Sequence, residues 1–373
     1  MCGCSPKAMG GAFSRACRQA LYAGNLSGYK LFLPRKRSSM DQDELSAFKQ
    51  FVNREGGLLE AAAREDFSAA LQGCDPLLRE VLEYALFSGG KRVRPLLVLL
   101  AARICGRQDQ EVYRLAVAFE YLHVATLIHD DVIDNARQRR GRDAVGHRFG
   151  MAAAILAGDW LHARSMHLVG RYAGAEGLDV FCHSTTGMVD GEFLQLRYVA
   201  DPEVTEEQYF SVIRRKTALL IGSTCEIGAL FGGADKKQRD SLAMYGDKLG
   251  TAFQVIDDLL DYQGDSTATG KTTGNDFVEG KMTLPLIRAF AAADKEDRAV
   301  LASLLLQDRA DPEVLARFSE LVDTLGGFSS ARQTAAQMVR EAISALDMFA
   351  GSGDQESLAM LKALAGYVLA RNK

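Results

Sequence analysis

Residues 123–142 read His-Val-Ala-Thr-Leu-Ile-His-Asp-Asp-Val-Ile-Asp-Asn-Ala-Arg-Gln-Arg-Arg-Gly-Arg. Upstream, Leu115–Ile128 is an apolar run that carries no charge except Glu120. It delivers Asp130, Asp131 and Asp134 within five residues. On an α-helix, i and i+4 share a face one turn apart. Asp130 and Asp134 can therefore hold one hard cation between them, which offsets the cost of burying like charges. Four arginines follow, at 137, 139, 140 and 142. Arginine is the side chain suited to bidentate phosphate binding.

The pattern recurs. Phe253–Tyr262 reads Phe-Gln-Val-Ile-Asp-Asp-Leu-Leu-Asp-Tyr, with Asp257, Asp258 and Asp261 at the same spacing on another apolar stretch. One such triplet is explicable as a solvated helix end; two, each ending an apolar run, are not. Magnesium prefers carboxylates plus substrate phosphate oxygens. Two facing acidic helices would make a cradle for a metal-bound diphosphate.

The rest of the chain supports an all-α reading. Hydrophobic residues make up 47% of it, ample for one core, and prolines number only seven, with Pro76, Pro202 and Pro312 at expected helix boundaries. Apolar residues recur at i, i+3, i+4 and i+7 without strand-like alternation. Asp43–Arg54 and Leu58–Leu71 read as two amphipathic helices, Met151–Tyr172 and Phe181–Val199 as two more, and 135–147 as a polar loop. Thr205–Gln208 spells a capping box. Residues 1–39 carry seven Lys/Arg and no acid. Subtracting that +7 from the net −4 leaves −11 for the remainder, which argues against a nucleic-acid partner. Residues 1–40 are read as a basic, non-catalytic tail and 41–373 as one helical domain. Seven scattered cysteines fit a reducing cytoplasm. No apolar run is long enough for a transmembrane helix.

Three further stretches suit anions. Ser88-Gly89-Gly90 is followed by Lys91, Arg92 and Arg94 at a helix start, where free N–H groups, helix dipole and charge agree. Lys216 stands in an apolar helix and needs an anionic partner, unless it snorkels beside Arg214 and Arg215. Residues 264–280 form a loop long enough for a lid, carrying Lys271 and followed by Lys281.

Taken together, the paired Asp-Asp-x-x-Asp motifs, Gly-Gly-Lys-Arg-Val-Arg-Pro at 89–95, Lys-Thr at 216–217 and Gly-Lys-Thr-Thr-Gly-Asn-Asp-Phe-x-Glu-Gly-Lys-Met-Thr-Leu-Pro at 270–285 resemble the trans-polyprenyl diphosphate synthase family. The resemblance covers roughly residues 42–373, and the long-chain members are the nearest in kind. It implies a helical bundle around a central substrate cavity, a Mg2+ cofactor on Asp130, Asp131, Asp134, Asp257, Asp258 and Asp261, and a homodimer. It implies isopentenyl diphosphate held by Lys91, Arg94, His123 and Arg140. The allylic diphosphate would be ionised with help from Lys216, Thr217, Gln254, Lys271, Lys281 and Arg139. It also implies a long-chain product, a quinone side-chain precursor, released through transient membrane contact. Ala125 and Thr126, five and four residues before Asp130, are the expected pocket wall; small residues there leave the path open. A class I terpene cyclase would lack the second acid motif and the Gly-Gly-Lys loop, and a regulatory subunit would lose one acid motif.

Overall fold

Helix Glu111–Ile133 runs through the middle of the protein, and its residues Leu115 to Leu122 are all nearly inaccessible to solvent. The structure, a computed structural model, describes residues 42–90, 92–263, 274–351 and 353–371, all helical apart from short connections. The expectations for residues 1–41, Lys91 and Lys271 lie outside the described residues. In chain order the helices are α1 Gln42–Ala70, α2 Pro76–Leu86, α3 Val93–Ile104, α4 Glu111–Ile133, α5 Val145–Phe149, α6 Met151–Arg197, α7 Glu206–Ile213, α8 Leu219–Phe231, α9 Lys236–Gln263, α10 Asn275–Val278, α11 Leu284–Ala292, α12 Lys295–Leu305, α13 Pro312–Thr324, α14 Gly327–Ala345 and α15 Gln355–Ala370. The fold is all-α, as expected.

Local chemistry sets many helix starts. Asp75 caps α2 through the Leu77 amide, Asp311 caps α13 through that of Glu313, and Thr205 and Gln208 form the capping box of α7. Pro76 and Pro312 take the first helical positions, where a missing N–H costs nothing.

Two expectations need correction. Gly56 and Gly57 do not divide α1, which is one helix. Each glycine costs about 1 kcal/mol in a helix interior. The buried stripe of Phe48, Phe51, Leu59, Ala63 and Phe67 outweighs that cost. The two helices expected within 151–197 are present, joined end to end across a kink at Gly174, φ 68°, and are labelled together as α6. The polar connection after α4 holds a two-residue antiparallel ladder, Gln138–Arg139 against Arg142–Asp143, and then α5.

The layers are tied by close helix approaches. α4 packs against α6, α3 and α1; α8 packs against α3 and α9; α9 lies between α8 and α14. A Cβ on Gly228 would stand 2.6 Å from the Val98 carbonyl oxygen, and one on Gly246 would stand 2.6 Å from that of Ile221. Only glycine permits the α8–α3 and α8–α9 crossings at this distance. α15 returns to pack on α3, α9 and α14, and so brings the C-terminal end of the described chain beside the second acid motif.

Candidate active site

Both acid motifs sit at the C-terminal end of a helix, Asp130 and Asp131 in the last turn of α4 with Asp134 capping it, and Asp257, Asp258 and Asp261 in the last two turns of α9. The macrodipole is negative there, so carboxylates are disfavoured and cations favoured. Each end offers hard oxygen donors, although among the described residues no three Asp, Glu, His or Cys side chains converge closely enough to hold a metal ion by themselves.

The first cluster is left open. No described side chain is hydrogen-bonded to or ion-paired with Asp130 or Asp134. Burial, with the neighbouring Glu192, pushes the Asp130 carboxyl up to about 6, with Lys216 opposing. Burial and Glu279 raise Asp134 as well. Asp131 differs: it is 6% exposed and takes the Arg139 guanidinium at 2.6 and 2.5 Å. Unbalanced, adjacent carboxylates of this kind fit a divalent cation, and Asp130 and Asp134 would hold it.

The second cluster is tied down. Asp257 pairs with Arg371 at 2.7 Å. Asp258 is fully buried and accepts from Lys281 Nζ and Gln254 Nε2 at 2.9 Å each on Oδ1, and from the Tyr209 hydroxyl at 2.7 Å on Oδ2. Asp261 accepts the Asp276 amide at 2.9 Å. Burial alone would depress the Lys281 ammonium, but Asp258 and Asp276 outweigh it and keep it charged far above the ordinary lysine range. Gln254 also accepts from Thr217 at 3.0 Å.

Lys216 and Thr217 lie in a π-helical turn, Arg214–Ala218, that joins α7 to α8. Such turns are concentrated at functional sites. Gly191 permits its approach to α6, since a Cβ there would be 2.7 Å from the Lys216 amide nitrogen. Lys216 finds its anionic partner in Glu192 at 2.8 Å, one helical position away on α6, with Gln195 at 3.4 Å. The lysine is thus held between Glu192 and the first acid cluster.

The basic site forms where α3 starts. Arg92 adopts φ 49° and Arg140 φ 53°, left-handed conformations unusual for side-chain-bearing residues. Arg92 pairs with buried Glu120 at 2.7 Å, and Arg140 binds the Gly89 carbonyl. Arg94 Nη1 stands 3.0 Å from His123 Nδ1. Arginine has no acceptor, so Nδ1 must accept and Nε2 carries the proton. Burial and the guanidiniums of Arg94 and Arg140 push His123 down to about 2, so it is neutral. Arg94 Nε is buried without a partner, a donor ready for an anion.

Arg94, His123, Arg140, Thr217, Asp257 and Arg371 open onto one cavity of about 640 Å³ with apolar walls that include Leu249, Phe253 and Leu364. Glu120 and His123 also border a small second cavity of about 50 Å³ beside Val124, Leu127 and Ile128. Ala125 is 2% exposed and Thr126 is half-buried with its hydroxyl turned to the His123 carbonyl; neither lines these two cavities. Reading the sequence missed Arg371 and Tyr209 at the second cluster. Arg371 lies 110 residues or more from either cluster, and Tyr209 spells nothing but a buried aromatic. Glu192 was legible as a polar residue on an apolar background, its role as partner of Lys216 was not.

Two acid motifs, a basic pocket and an apolar cavity that the basic pocket shares with Asp257 are the parts of the site. The polyprenyl synthetase family model matches residues 75–322. Octaprenyl diphosphate synthase of Escherichia coli (strain K12) is 35% identical over 298 residues, 80% of this chain and 91% of that protein. The crystal structure of a decaprenyl diphosphate synthase from Rhodobacter capsulatus superposes with a TM-score of 0.79 at 36% identity, covering 88% of this chain and 99% of that one. A polyprenyl synthase from Caulobacter crescentus CB15, complexed with calcium and isoprenyl diphosphate, gives 0.78 at 32% identity, covering 86% and 97%. Relatives named for shorter products match at similar identity. The chain belongs to the polyprenyl synthetase family and is a prenyltransferase.

Proposed function

We propose that the protein condenses isopentenyl diphosphate with an allylic prenyl diphosphate, head to tail, to build a long-chain trans-polyprenyl diphosphate in a Mg2+-dependent reaction. One observation carries this reading: a basic pocket whose Arg94 has an unused buried donor opens, with Asp257 of the second acid cluster, onto one cavity, and its His123 and Arg140 border, with Asp131 of the first, a second small one. Burial lowers Arg94, and Glu120, Asp257 and Asp130 oppose that, so a carboxylate of each cluster acts on it.

Asp130 and Asp134, joined by Asp257 on release from Arg371, would hold magnesium, which would supply charge neutralisation and Lewis acidity to a leaving diphosphate. Lys216 and Thr217 orient that group from the π-turn, and Lys281 adds charge from the second cluster. Arg94, neutral His123 and Arg140 hold isopentenyl diphosphate, with the Nε2 proton of His123 free to donate. The apolar walls exclude water, which would quench an allylic cation. The departing diphosphate takes the final proton. Lys91 and Lys271 are proposed for the same two sites, on sequence alone.

Exposed Ile155, Leu156, Val189, Phe193 and Leu196 on α6 support a homodimer through that helix. No described helix is long and apolar enough to cross a membrane. The four described cysteines carry free thiols, which suits a cytoplasmic location, and a product so apolar would leave through transient membrane contact. Radiolabelled isopentenyl diphosphate with farnesyl diphosphate and magnesium tests the proposal. Labelled products near octaprenyl length are expected. Absence of any labelled elongation product would overturn it.

A further inference from the structure

We propose that Tyr209 is a positioning residue for prenyl transfer, acting through Asp258 to aim Lys281, Gln254 and the Lys216–Thr217 turn. The inference rests on the function proposed above.

Tyr209, only 3% exposed, gives its hydroxyl to a carboxylate of the second acid motif, at 2.7 Å. Asp258 is itself 1% exposed. With Tyr209 on Oδ2, and Lys281 and Gln254 on Oδ1, three donors from three chain segments fix the plane of the carboxylate. Remove the hydroxyl and the carboxylate is tethered on one oxygen only, free to pivot with Lys281 and Gln254.

The arrangement closes a ring. Tyr209 in α7 reaches Asp258 in α9; four residues earlier in α9, Gln254 reaches Thr217, and the π-turn leads back to α7. The turn that carries Lys216 is thus pinned to the second acid cluster at two points. Lys281, the other cation, hangs from the same carboxylate and shares itself with Asp276 at 3.2 Å. The hydroxyl adds a donor without adding charge, so it constrains Asp258 while leaving Lys281 its positive charge.

Tyr209→Phe removes one oxygen and keeps the ring. Turnover with farnesyl and isopentenyl diphosphates should fall about tenfold or more, the scale of a hydrogen bond to a charged group, while the KM for isopentenyl diphosphate stays within about twofold. Calorimetric binding of manganese with inorganic pyrophosphate should weaken by a similar factor. The double variant with Asp258→Asn should lose no more than Asp258→Asn alone, because the hydroxyl acts through that carboxylate. Wild-type turnover and wild-type manganese–pyrophosphate binding in Tyr209→Phe, or losses that multiply in the double variant, would overturn the inference. If the wild type itself fails to condense the substrates, the functional proposal falls, and the manganese–pyrophosphate comparison still decides the role of Tyr209.

Discussion

In the first acid cluster Asp130 and Asp134 meet no described partner, whereas in the second every aspartate is engaged. Asp257 has Arg371, Asp258 has Tyr209, Gln254 and Lys281, and Asp261 has the Asp276 amide. The two stretches share one spelling and the same place at a helix C-terminus, so local sequence does not set the difference. Counter-charges delivered from elsewhere in the chain do. The second cluster is tied to protein donors, two of them cationic; in the first, Asp130 and Asp134 are left for a ligand to satisfy. That contrast makes the first cluster the more sensitive to metal and the more costly to the empty protein.

The largest expected effect separates the clusters directly. Asp130→Asn should lower turnover about a thousandfold or more, since a divalent cation contributes several kcal/mol to such a leaving group. Asp261→Asn, whose carboxylate keeps its backbone donor, should cost less. Steady-state rates at saturating magnesium check this, and equal losses would erase the distinction.

The next contrast lies between the basic pocket and the π-turn. Arg94→Ala should raise the KM for isopentenyl diphosphate and Lys216→Ala that for the allylic substrate, each about tenfold or more, because a hydrogen bond to a charged group is worth roughly 1.5–3 kcal/mol. Equal effects on both substrates would reject the division into two sites.

Ala125→Phe places a ring five residues, about 7.5 Å along the axis, before Asp130. Ala125 borders neither cavity of the empty protein, so the product should shorten toward farnesyl or geranylgeranyl length, read by chain-length analysis, only if the growing chain opens a path past this face of α4. An active variant with an unchanged product would show that Ala125 does not face the growing chain.

The smallest effect is on stability. Asp130 is pushed up to about 6 by burial and Glu192, above its ordinary carboxylate value. A group raised on folding contributes stability at low pH that is lost as pH rises through its folded value. In the metal-free protein at pH 8, Asp130→Asn should therefore raise Tm by a few degrees, and the gain should vanish at pH 4. Asp257, also raised by burial but opposed by Arg371, should bring a smaller gain on Asp257→Asn, since the change strands Arg371. Thermal scans of both variants at the two pH values decide it.

The all-α fold was legible in the sequence because period and caps are local: Asp75, Thr205 and Pro312 mark helix starts where they stand. The acid clusters were legible for the same reason, as four-residue spacing on one helix face. Glycine misled at Gly56 and Gly57, where a buried aromatic stripe overrode propensity. The pairing of Lys216 with Glu192 depends on Gly191 admitting a π-turn, a contact between helices that no periodicity encodes. Arg371 and Tyr209 escaped because long-range return of the chain, not spacing, brings them to Asp257 and Asp258.

The most direct measurement is prenyl transfer by purified protein from farnesyl and isopentenyl diphosphates, first with excess chelator and then with magnesium restored. Turnover should disappear on chelation and return in full with magnesium, because no described side chain is paired with Asp130 or Asp134. Undiminished turnover in excess chelator would contradict the account.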